Sequence, residues 1–242
     1  ATWTSSVAAD PAALFTETLH FRDPLWRNIK GIRAAQNLFD DLSDDAGDHA
    51  VAAAAESLTK PGGDEPLISR PFDYAQAILF PFDEARWHAT RYSDGTAFGV
   101  WYGSLTLETT VYESVYHWLR FLRDAPTRGP GVEMIGERRV FTADCNGLLA
   151  DLRAKAKLEP RLVDPTDYSF THRVGRYAFE QGVNGLLAPS ARHRDGVNGA
   201  ILSRHVLSNP RDRCYLTYRW IVGEPTVRVE RRPGRTWLKI PS

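Results

Sequence analysis

Two hydrophobic rhythms divide the chain. Near the N-terminus, Asp10-Pro11 supplies N-cap and N1 chemistry, and Leu14, Phe15 and Leu19 follow at helical spacing. Further helical segments are predicted over residues 32–42 and over the alanine-rich 48–58. Lys60-Pro61-Gly62-Gly63-Asp64-Glu65-Pro66 then reads as a loop, so a helical extension (1–66) is expected to precede a main domain (67–242). Beyond the loop, short apolar and aromatic runs alternate with Gly, Pro and Asp. They predict a strand over 98–104, a helix capped by Thr106 and running to about Arg123, and a strand over 132–143 with a bend at Gly136. Asp164-Pro165 opens a helix over 168–181, which Gly182 stops. Short strands are expected at Leu186-Leu187-Ala188 and 199–203, and the last ones at 214–222 and 226–232. Many strands with few helices predict an α+β class built on a mostly antiparallel or mixed sheet.

Composition narrows the function. Hydrophobic residues make up 43% of the 242 and charged residues 25%, which suits one large domain with a real core. Thirty Lys and Arg balance thirty Asp and Glu, so no global field draws the chain to nucleic acid or an anionic membrane, and direct nucleic-acid binding is not expected. Cys145 and Cys214 form no CxxC and read as inert thiols rather than a disulfide framework or a zinc site. The histidines show no metal-ligand pair, so no metal is expected. No cationic segment leads into an apolar run at the start, and no stretch of about eighteen apolar residues occurs. Neither a signal peptide nor a membrane span is expected, and the chain reads as cytoplasmic.

The motifs of P-loop and Rossmann proteins, of α/β-hydrolases and of zinc proteases are absent. What stands out instead is a set of polar residues inside apolar or aromatic segments: Arg70, Arg91, Tyr102, Glu113 and Ser190. Helix geometry bears on Glu113. Val111, Val115, Trp118 and Leu122 form one stripe within about 60°, and Glu113 points roughly 160–200° away from it. That face, shared with Tyr116 and Arg120, suits either water or a polar cleft.

Arg91 and Tyr102 are spaced like Tyr102 and Glu113, across a turn, a strand and a helix. With the blocks Arg70-Pro71-Phe72-Asp73-Tyr74, Arg91-Tyr92-Ser93, Val100-Trp101-Tyr102-Gly103-Ser104, Glu108-Thr109-Thr110-Val111-Tyr112-Glu113 and Pro189-Ser190-Ala191-Arg192 followed by Asn198, the region 67–210 resembles the RES domain. The resemblance implies an ADP-ribosyltransferase-like fold, a central split β-sheet with flanking helices, and here the N-terminal helical extension besides. It implies NAD⁺ as substrate, with Glu113, Tyr102 and Ser190 as catalytic residues. Arg70, Arg91, Tyr102, Ser190, Arg192 and Asn198 would bind the dinucleotide, and Arg27 in Leu25-Trp26-Arg27 rivals Arg70 as the first family arginine.

The chemistry suits these residue types. Nicotinamide in NAD⁺ is already a cationic leaving group, so its departure needs no general acid, unlike the paired carboxylates of most glycosidases. One fixed carboxylate, Glu113, can stabilise the positive charge that develops on the ribose. Guanidinium forks match pyrophosphate oxygens better than a lysine does. Tyr102 offers a ring face, and Ser190 can orient a ribose hydroxyl or the carboxamide. Val111 stands two positions before Glu113, where arginine-directed ADP-ribosyltransferases carry a second acid. Arginine is therefore disfavoured as acceptor, and other protein side chains, water or phosphate remain. The resemblance implies a toxin of a bacterial toxin–antitoxin module that transfers ADP-ribose to a protein, or alternatively an NAD⁺ glycohydrolase or phosphorylase. A cognate antitoxin with a helix-turn-helix domain is the implied partner. A ribonuclease and a non-enzymatic interaction module are the competing classes.

Overall fold

The computed structural model describes residues 10–31, 74–124 and 129–242. Eight strands form one mixed sheet: β1 (Thr18–Lys30), β2 (Trp101–Ser104), β3 (Glu133–Asp151), β4 (Gly185–Pro189), β5 (Val197–Ile201), β6 (Leu207–Ile221), β7 (Thr226–Arg232) and β8 (Arg235–Pro241). Three α-helices accompany them: α1 (Tyr74–Leu79), α2 (Leu107–Asp124) and α3 (Ser169–Glu180).

β3 is the spine. It pairs antiparallel with β1 from Arg138 to Ala150 and with β6 from Glu133 to Cys145, and its last residues run parallel to β4. The order β1-β2-β5-β4-β3-β6-β7-β8, with β1 also paired to β3, splits the sheet into two halves that share β3. One half curls round from β3 through β4, β5 and β2 to β1. The other is the antiparallel meander β3-β6-β7-β8. Because side chains alternate across a strand, β3 feeds both cores. Val140 faces α2, while Phe141, Ala143 and Cys145 join Leu25, Ile78 and Trp101 in a second cluster. A third cluster lies under α3, where Phe170, Val174 and Ala178 meet Leu152, Leu162 and Leu186.

Helix α2 starts where Thr106 Oγ1 accepts from the Thr109 amide at 3.2 Å, so one orphan donor of the first turn is met. Of the expected stripe, Val111, Val115 and Trp118 are buried, together with Leu119, against Leu216, Tyr218, Val227 and Val229, while Leu122 is half-buried beside them. Helix α3 ends as expected at Gly182. With φ of 67°, that residue lets its own amide reach the Phe179 carbonyl and the Val183 amide reach that of Ala178.

The N-terminal expectation needs correction over the described residues. Asp10 does cap Pro11, accepting from the Ala12 amide, but the turn is a 3₁₀ helix that ends at Leu14. Residues 18–30, expected to belong to a helical extension, are instead β1, paired along its whole length with β3. Its buried residues, Phe21 and Leu25, lie four apart and so imitate helical spacing. The helices expected over 32–42 and 48–58, and the loop at 60–66, lie outside the described residues. β3 and β6 run further than expected, and β8, not anticipated, pairs with β7 across the turn at Gly234. No helix among the described residues is long and apolar enough to cross a membrane. Cys145 and Cys214 are not joined in a disulfide, and burial pushes the Cys145 thiol up to about 12.

Candidate active site

A cleft of about 460 Å³ opens between the curled half of the sheet and helix α2. β1 contributes Arg27 and Asn28, β2 contributes Tyr102 and Ser104, and α2 contributes Glu113, Ser114 and His117. Asn198 comes from β5, and Arg91 and Tyr168 come from the loops.

The carboxylate of Glu113 is fixed at one oxygen. Oε1 accepts from Ser190 Oγ at 2.6 Å and from Asn198 Nδ2 at 2.6 Å. Each donor is itself held. Ser190 Oγ accepts from the amides of Arg192 (3.1 Å) and His193 (3.0 Å), so its one proton is directed to Glu113. Asn198 Oδ1 accepts from the buried Ser104 hydroxyl at 2.7 Å, which holds the amide with Nδ2 towards the acid. Glu113 Oε2 makes no hydrogen bond among the described residues. Both short bonds are charge-assisted and leave the carboxylate little freedom to rotate. Ser190 therefore acts as a donor to the acid, with its lone pairs occupied, and is poorly placed to serve as a nucleophile.

Among the described residues, two guanidinium groups line the cleft. Arg27 Nη1 donates to the Tyr102 carbonyl at 2.9 Å, and the group lies 5.0 Å from the Trp101 ring centre. Burial lowers its pKa to about 10, so it remains charged at neutral pH. Arg91 comes from a loop. Its Nη1 donates to the Asp164 carbonyl at 2.8 Å, and its guanidinium lies over the Tyr168 ring at 4.5 Å. That loop is pressed close to α3: a Cβ on Gly175 would stand 1.7 Å from the Tyr92 carbonyl oxygen, so no larger residue fits. Tyr102 lies half-buried beside Tyr92, the rings stacked at 6.4 Å, and its hydroxyl accepts from the Tyr92 amide at 3.1 Å. Burial is the main cause that raises both tyrosine pKa values, and both stay protonated. His117, one turn after Glu113, has its pKa lowered, first by desolvation and then by Arg192, Arg120 and Arg91, against the opposite pull of Glu113. It is neutral at pH 7.

The structure thus brings Arg91, Tyr102, Glu113 and Asn198 onto one cleft, with Ser190 hydrogen-bonded to the acid. Arg192 is placed differently. Its guanidinium lies 3.4 Å from the Tyr116 ring centre and donates to the Pro165 carbonyl and the Tyr168 hydroxyl, so it braces the wall and is not among the residues lining the cleft. Arg70 lies outside the described residues, whereas Arg27 is on the cleft. Sequence reasoning missed Asn28, Ser104, Ser114 and His117. For His117 the helical period held a usable signal, because at about 100° per residue it falls on the side of Glu113, well away from the apolar stripe.

Comparison with known families matches residues 62–221, more than half of the chain, to the RES domain. Among solved structures, the chain is similar to one described as the M. tuberculosis MbcT–MbcA toxin–antitoxin complex, at 14% identity and a TM-score of 0.45, covering 83% of this chain and 86% of that one. No curated protein matches it.

Proposed function

The chain belongs to the RES-domain family, and from that premise we propose that it is the toxin of a toxin–antitoxin module, which binds NAD⁺ in the cleft, breaks the nicotinamide–ribose bond and passes ADP-ribose to a protein acceptor. The observation that carries the reading is Glu113, held at Oε1 by Ser190 and Asn198 and, among the described residues, without a hydrogen bond at Oε2, on a cleft that also holds the guanidinium groups of Arg27 and Arg91. Arg27 and Arg91 suit a pyrophosphate. The nicotinamide leaves as a neutral ring with the bonding pair, and the positive charge left on the ribose meets the fixed carboxylate. The acceptor's lone pair then forms the new bond to the anomeric carbon, and its proton goes to solvent. Val111, two positions before Glu113, is fully buried in the core. An acid at that position would face away from the cleft, so the acceptor is a side chain other than arginine. The partner is a cognate antitoxin that lies across the cleft or its entrance.

Incubation of the purified chain with NAD⁺ labelled in its ADP-ribose half, with and without cell extract, tests the reading. Label on a protein band that disappears with Glu113→Gln is the expected result. Free labelled ADP-ribose, or its phosphate, would assign NAD⁺ degradation instead. Intact NAD⁺ under both conditions would sink both.

A further inference from the structure

Asn28 lies on β1 beside Arg27, in the wall of the cleft, and a relay that begins inside α2 orients its amide. Ser114 Oγ donates back to the Thr110 carbonyl at 2.8 Å. A hydroxyl has one proton, so Ser114 is left to accept from the Tyr218 hydroxyl, 2.7 Å away. The Tyr218 oxygen in turn accepts from Asn28 Nδ2 at 2.7 Å. Tyr218 is fully buried, edge-on to Trp118 and beneath the Arg138 guanidinium. Burial pushes its pKa up to about 12, so it keeps its proton and keeps donating. The relay therefore runs one way, and its far end is Asn28 Oδ1. That oxygen has no hydrogen-bond partner among the described residues. A shielded acceptor left without a donor is costly, and such groups in native proteins call for an explanation. A ligand N–H supplies one.

We propose that Asn28 is a substrate-specificity residue whose Oδ1 accepts a hydrogen bond from the carboxamide N–H of nicotinamide, and that Tyr218 is the positioning residue that aims it. The proposal rests on the reading of the cleft as an NAD⁺ site. At the reacting end of NAD⁺ the hydrogen-bond donors are ribose hydroxyls and the carboxamide. The hydroxyls have an acceptor in Glu113 Oε2, which leaves the carboxamide as the donor without one. The same position also sets up a rejection. Nicotinic acid adenine dinucleotide carries a carboxylate there, which offers Oδ1 only lone pairs. A buried polar group that loses its partner discriminates strongly between otherwise similar ligands.

The test compares kcat/KM for NAD⁺ and for nicotinic acid adenine dinucleotide in the wild-type chain and in three variants. Wild type should prefer NAD⁺ by about a hundredfold or more. Asn28→Ala should bring the two within about tenfold, mainly by losing NAD⁺. Asn28→Asp keeps an acceptor and adds a negative charge, so it should retain the preference. Tyr218→Phe should narrow it while unfolding stays cooperative, a result that loss of structure alone would not give. Calorimetric binding of the two dinucleotides to Glu113→Gln protein supplies the same ratio without turnover. An NAD⁺ preference equal in wild type and Asn28→Ala overturns the proposal. Selective binding without any cleavage leaves the specificity role standing and removes the proposed reaction. Binding of neither dinucleotide overturns both.

Discussion

The two faces of helix α2 follow different rules. One carries Val111, Val115, Trp118 and Leu119, all buried against the meander half of the sheet and held by area and shape. The other carries Glu113 and His117 on the cleft, where single hydrogen bonds of fixed direction set the arrangement. A buried Val or Leu side chain contributes about 1.5–3 kcal/mol by leaving water, and cores accept apolar swaps that conserve volume. The polar face has no such tolerance, because Ser190 and Asn198 are each spent on one oxygen. Truncation on the first face should therefore cost stability, and truncation on the second should cost chemistry.

A matched pair of substitutions gives the largest effects. Trp118 packs on Tyr218 and directly over Gly136. Trp118→Ala should cost about 3–5 kcal/mol in denaturant unfolding, with little change in turnover by the fraction still folded. Glu113→Gln should reverse that signature. Turnover should fall about a thousandfold, equivalent to about 4 kcal/mol of transition-state stabilisation, while the unfolding midpoint barely moves. A large stability loss in Glu113→Gln would erase the distinction between the faces. Next in size is Arg91, which lines the same cleft as the acid. Arg91→Ala should raise KM for NAD⁺ about tenfold with kcat nearly unchanged, and Arg91→Lys should recover only part, since the fork on the phosphates is lost. Full recovery by lysine would reduce its role to that of a point charge.

The apolar face of α2 was legible in the sequence, and so were its cap at Thr106 and the stop of α3 at Gly182, because each depends on neighbours within one turn. Of the cleft residues, Arg91, Tyr102, Glu113 and Asn198 were singled out through the resemblance of their segments to the RES domain. β1 was not. Its inward Phe21 and Leu25 are four residues apart, Pro24 interrupts the run, and the Asp10-Pro11 cap just upstream suggests a helix. What establishes it as a strand is thirteen register positions on β3, more than a hundred residues away. Asn28 was hidden for the same reason, since its meaning depends on Tyr218, a partner in a different strand. Ser104 and Asn198 likewise meet only because β2 and β5 are paired. Arg192 marks the opposite limit: its position after Ser190 suggested a ligand contact, but Tyr116 and the Pro165 carbonyl occupy its guanidinium.

The smallest expected effect lies behind Arg91, in the turn that holds it. Asp164 offers its backbone carbonyl to the Arg91 guanidinium, while its side chain accepts from the amides of Thr166 at 2.8 Å and Asp167 at 2.7 Å. Those backbone hydrogen bonds are the main cause that holds its carboxyl below the usual 3.8. The linkage sign follows: a depressed carboxyl pKa stabilises the folded turn at any pH above the unfolded value and loses that contribution only as pH falls through the lower folded one. Between pH 5 and 8, about the range for assay, the turn should therefore stay closed and the Arg91 contribution to KM should be flat. Asp164→Ala removes the side-chain acceptor but keeps the carbonyl that Arg91 uses, so the turn should loosen without releasing the arginine. The expected outcome is a KM for NAD⁺ raised by no more than a few-fold, with kcat unchanged and the pH profile from 5 to 8 the same shape as wild type. If Asp164→Ala instead matched Arg91→Ala, the loop would be no more than a hinge for the arginine. Among the described residues, the strand-borne Arg27 would then be the guanidinium left with a rigid mount on the cleft.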